Sequence, residues 1–150
     1  MMKKYLIFIS VFCLFCFNNM FCQVGKSKTV EESILVGKAD KNVGYPRLDF
    51  YKKEDGNNLY LLTYINLEYA NIRDTKTISF YANQEDLEYL FNFLMDGFKT
   101  KEKRSLTLGE DEINIKKASL SIIVNVHHSN STNGFFYLSK RQTERLFGKR

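Results

Sequence analysis

The stretch Phe80-Tyr81-Ala82-Asn83-Gln84-Glu85-Asp86-Leu87-Glu88-Tyr89-Leu90-Phe91 returns in near copy as Phe136-Tyr137-Leu138-Ser139-Lys140-Arg141-Gln142-Thr143-Glu144-Arg145-Leu146-Phe147. Each copy reads as the end of a strand, a capping residue and a helix. In the first, the Asn83 side chain is placed to accept from the free N–H groups of the opening turn, and Glu85 and Asp86 sit at the positive end of the helix dipole. Leu87, Leu90, Phe91, Leu94 and Phe98 then recur at steps of three and four, which makes one apolar stripe, and Gly97 suits a stop. In the second, Ser139 takes the capping place, Gln142 can complete a capping box, and Gly148 ends the helix.

Such helices do not stand alone. Burying each side chain of the stripe contributes roughly 1.5–3 kcal/mol, whereas ordering each residue of the helix costs about 1–2 kcal/mol of backbone entropy. A sheet must lie beneath them.

The strands come from alternation. Ser33 to Lys38 is a short β-branched segment, and Arg47 to Lys53 alternates ahead of the hairpin turn Glu54-Asp55-Gly56-Asn57-Asn58. Leu59 to Tyr69 is a long strand, and Thr77–Ala82 feeds the first helix. In the second half, Ser105–Leu108 and Ile113–Lys116 flank a polar turn, Leu120, Ile122, Val124 and Val126 alternate along the next strand, and Gly134–Leu138 leads into the last helix. Ile65 to Asn71 also parallels Val124 to Asn130. The reading is an α+β domain: one antiparallel sheet of about eight strands from an internally duplicated strands-then-helix unit, both helices on one face. The pseudo-repeats span about 31–100 and 104–148.

The N-terminus has a different character. Lys3 and Lys4 precede an apolar run from Tyr5 to Phe17 that ends in Asn18 and Asn19, the layout of a secretory signal peptide. The run is shorter than the roughly 20 apolar residues that cross a bilayer. Cleavage before Gln23 makes residues 1–22 a leader and 23–150 a single domain of ordinary size. The leader carries all three cysteines, Cys13, Cys16 and Cys22, so the exported form has neither disulfides nor thiolate metal ligands. A lipidated cysteine is the competing reading, against which Phe15 and Phe21 stand where a lipoprotein signal wants a small residue. Localisation is therefore expected to be exported, periplasmic or secreted, with no membrane span after cleavage. The full chain has a formal net charge of +5, and without the two leader lysines this falls to +3, too mild to argue for nucleic acid.

No catalytic motif is legible: there is no Gly-x-Ser-x-Gly elbow, no Walker loop and no His-Glu-x-x-His. His127 and His128 are neighbours on a strand, so they point to opposite faces and do not chelate one ion together. Glu110, Asp111 and Glu112 read as a solvated turn. No cofactor and no metal are expected. The candidate recognition surface is aromatic: with Leu61 and Thr63 under the helices, Tyr60, Leu62 and Tyr64 take the opposite face of their strand, joined by Tyr51 and Tyr81 from neighbouring strands. The expectation is an exported binding module acting on another envelope protein or on itself. The alternatives are an enzyme assembled from loops, with His127, His128, Glu68 and Asp49 as participants, and a structural homodimer.

Overall fold

The computed structural model describes residues 32–69 and 71–150, so the expected leader and its cleavage point lie outside the described residues. The eight strands are β1 (Ile34–Lys38), β2 (Arg47–Tyr51), β3 (Asn58–Asn66), β4 (Asp74–Ala82), β5 (Arg104–Leu108), β6 (Asp111–Ala118), β7 (Ser121–His127) and β8 (Asn133–Ser139). Helix α1 (Gln84–Asp96) follows β4, and α2 (Lys140–Leu146) follows β8. Each half of the chain is thus four strands followed by a helix. Both helices begin on the expected capping residues, Asn83 and Ser139; Ser139 forms the expected capping box with Gln142, and Asn83 forms one as well, with Asp86.

The strands form two four-stranded antiparallel sheets, β1-β2-β3-β4 and β5-β6-β7-β8, and not the one sheet of about eight strands that the sequence suggested. Two seams bring them together. At one, the β3 end meets β8: the Leu67 amide donates to the Phe135 carbonyl at 3.0 Å, and the buried Asn66 amide oxygen accepts from the Phe135 N–H at 3.1 Å. At the other, the turn after β5 lies on β4, with Gly109 so close to the Ser79 carbonyl that a side chain there would collide with it. Gly109 also has φ +60, which glycine adopts without strain.

One core fills the space between the sheets and the helices. The first sheet contributes the cross-strand rows Phe50–Tyr60–Phe80 and Leu48–Leu62–Ile78, the rings of the first row stacking at 5.5 and 5.7 Å. The second sheet contributes Ile113, Ile115, Ile122, Val124, Val126, Phe136 and Leu138. Helix α1 buries Leu87, Leu90, Phe93 and Leu94, while Phe91 turns partly aside and meets Phe147 edge to face at 5.4 Å.

Three local expectations are corrected. Gly97 ends α1 in right-handed geometry (φ −58), so its value is not a left-handed turn; a Cβ there would sit 2.7 Å from Ile115 Cδ1. Leu120 belongs to the β6–β7 turn and is 87% exposed, outside the strand it was expected to open. The third concerns β3. Its inward face is Tyr60, Leu62 and Tyr64, which are 3%, 4% and 0% exposed, whereas Leu61 and Thr63 face outward and are half-buried. The large rings span the gap between two sheets, a gap that a single layer would not have had.

Candidate binding cleft

Tyr64 owes its place in the core to a polar partner for its hydroxyl. Its oxygen lies 2.9 Å from Nε2 of His128, whose Nδ1 is 2.8 Å from Asp111 Oδ2; the other Asp111 oxygen accepts from the Ser129 N–H at 2.9 Å. A carboxylate only accepts, so Nδ1 donates to Asp111, and in the neutral imidazole Nε2 then accepts from the phenol. Burial, reinforced by the negative charges of Asp111 and Asp74, holds the Tyr64 phenol well above its ordinary pKa and keeps it a donor. Gly134 makes room for this hydroxyl, since a Cβ there would stand 2.6 Å from it.

This chain of side chains fixes two turns. Asp111 opens β6 and His128 follows β7, so their bond ties the β5–β6 turn to the β7–β8 turn. Because Gly109 is pressed against Ser79, both turns overhang the outward side of β4. The resulting cleft has a volume of about 430 Å³, with Thr77, Ser79 and Tyr81 below and Glu110, Asp111 and Asn130 among the residues of its rim. It is lined by two acids and by no Lys or Arg, on a chain whose net charge is positive.

Tyr81, 63% exposed, belongs to two further clefts. One, of about 680 Å³, runs beside the β2–β3 turn past Lys52, Glu54 and Asp55. The other, of about 220 Å³, lies between the end of β4, the first turns of α1 and β5; Leu90, Leu106 and Leu108 give it an apolar lining, with Tyr89 and Asp86 also on its wall. One exposed tyrosine therefore stands where three clefts meet.

Of the five residues expected on an aromatic face, two share that surface. Tyr51 and Tyr81 flank Leu59 in one outward cross-strand row, Tyr81 exposed and Tyr51 half-buried. Tyr60, Leu62 and Tyr64 lie on the opposite, core-facing side. Of the groups considered for an assembled active site, Asp49 is buried in a pair with Arg47, Glu68 is exposed, and His127 is exposed beside Asn133. His127 and His128 do point to opposite sides. The structure brings in Glu110 and Asp111, which sequence reading left as turn residues, and with them Ser129 and Asn130, which were not on the expected recognition surface; nothing in a linear sequence marks a turn as lying over a strand some thirty residues away.

Both ring nitrogens of His128 are taken up inside the protein, so the imidazole presents no free lone pair to a bound molecule. Among the described residues, no three or more His, Cys, Asp or Glu side chains are grouped so as to hold a metal ion. No helix among them is long and apolar enough to cross a membrane. No family model, curated protein or solved structure matches this chain.

Proposed function

We propose that this protein is an exported, non-enzymatic binding module that recognises its partner through the three clefts meeting at Tyr81. The observation that carries the reading is the exposure of Tyr81 at that junction, backed by turns that the Asp111–His128–Tyr64 chain holds rigid. A tyrosine offers a large apolar face and a hydrogen-bonding tip at little entropic cost, which is why such residues anchor interfaces. Export rests on the Lys3-Lys4 charge and the apolar run to Phe17. The matching order of four strands and a helix, together with the two near-identical junctions, supports an origin by internal duplication.

The test uses protein recovered from the envelope fraction. Its intact mass should correspond to a chain beginning at or near Gln23, and a full-length cytoplasmic product would contradict export. Immobilised wild-type protein should then retain a defined partner that Tyr81→Ser loses and Leu120→Ser keeps. Equal retention by all three would place recognition elsewhere.

A second reading, self-association as a structural homodimer, is favoured by one observation. Val43, Leu67 and Tyr137 are exposed around a largely apolar cleft of about 290 Å³ on a different part of the surface. Sedimentation at several concentrations separates the two readings, because a dimer formed there is indifferent to Tyr81→Ser and sensitive to Tyr137→Ser.

A further inference from the structure

We infer that the occupant of the Tyr81 clefts is a polypeptide segment carrying a Lys or Arg side chain in the acidic cleft and an aliphatic side chain in the small apolar one. The inference rests on the proposed binding role and names its ligand. Charge decides the first position. The cleft over β4 has Glu110 and Asp111 and no Lys or Arg, and Asp111 is already engaged by His128 and the Ser129 amide. Glu110 is the exposed carboxylate left to meet a cation, and Tyr81 supplies an aromatic surface on which an ammonium or guanidinium group can rest. The Ser79 hydroxyl adds a polar partner for its remaining N–H groups, the Thr77 hydroxyl being paired with Thr63 and the Asn130 Oδ1 with Thr132.

Shape decides the second. The cleft between β4, α1 and β5 is smaller, about 220 Å³, and Phe80, Leu90, Leu106 and Leu108 are among the residues that line it. The two clefts share Phe80, Tyr81 and Gly109, so they lie side by side along β4. A free amine would fill the first and leave the second empty. A peptide laid across Tyr81 fills both, with the basic and the aliphatic side chain a few residues apart.

The experiment is selection of a random dodecapeptide display library on the purified protein, followed by titration of the best synthetic peptide. Selected peptides should be enriched in Lys or Arg with Leu, Ile or Val nearby. Replacing the selected Arg with citrulline, which keeps its shape and removes its charge, should weaken binding about tenfold. Glu110→Gln in the protein should do the same, and the citrulline peptide should not distinguish Glu110→Gln from wild type. Affinity of the charged peptide should fall as salt is raised. Enrichment without basic residues, or a winner that binds Glu110→Gln unchanged, overturns the assignment even where Tyr81→Ser still loses the envelope partner. Displacement of the peptide by free spermidine at equal concentration would overturn the polypeptide assignment in favour of a small amine. Peptides insensitive to Tyr81→Ser would remove the proposed binding surface itself.

Discussion

The ring of Tyr64 lies parallel to that of His128, with centroids 6.1 Å apart and the phenol oxygen 2.9 Å from Nε2. Tyr64 belongs to the third strand of the first sheet, and His128 to the turn between the last two strands of the second. The pair is therefore a polar bond across the interior between two layers that are otherwise joined mainly by apolar packing.

Breaking it should be measurable in two ways. Tyr64→Phe keeps the ring and its contact with Phe136 but leaves Nε2 of His128 without its donor, in a side chain only 9% exposed. Urea melts near neutral pH should show a loss of about 1–3 kcal/mol. The same variant changes the response to alkali. The folded phenol holds its proton more tightly than a free one, whose pKa is 10.0, so its contribution to stability is fully present below that pH and is lost as pH rises above it. Wild-type stability should thus fall more steeply than that of Tyr64→Phe as pH rises from about 10 to about 12. Parallel curves would mean that the phenol titrates normally.

Phe91 and Phe147 occupy equivalent places in the two junctions and touch each other. Their equivalence is incomplete, because Phe147 is buried and Phe91 only half-buried beneath the Lys149 ammonium. Phe147→Ala should cost about 3–5 kcal/mol and Phe91→Ala less. A double-mutant cycle should return a coupling of about 0.5–1.5 kcal/mol from the edge-to-face contact. A neutral Phe147→Ala would show that α2 is not docked.

Much of this was legible beforehand. Capping residues act locally, so Asn83 and Ser139 reveal their helices without reference to anything distant. Alternation gave the strands to within a few residues. The direction of β3 was not legible, because Tyr60-Leu61-Leu62-Thr63-Tyr64 carries large or apolar groups on both faces and its pattern fits either. The choice was made by the second sheet, which offers Phe136 and His128 to Tyr64 and has no counterpart on the outward side. The cleft was hidden for a related reason: it exists because Gly109 comes to rest on Ser79, a contact that neither residue announces.

Gly97 ends the helix as expected, and it also serves the core. Gly97→Ala places a methyl group 2.7 Å from Ile115 Cδ1 and 3.3 Å from Ile122 Cγ2, both fully buried. Despite alanine's better helix propensity, the substitution should destabilise by about 1–3 kcal/mol. Ile115→Val, which removes that Cδ1, should recover part of the loss in the Gly97→Ala background. If Gly97→Ala stabilises the protein, α1 does not approach the second sheet as closely as described.

The central functional claim is that Tyr81 marks the recognition surface, and site-specific photo-crosslinking tests it most directly. Benzoylphenylalanine at position 81, and separately at the still more exposed position 120, would be irradiated in intact cells that export the protein. A discrete adduct is expected from position 81 and none from position 120, with the position-81 adduct diminished by Glu110→Gln. Adducts of equal yield from both positions, or none from position 81 while the protein is folded and exported, would contradict the account.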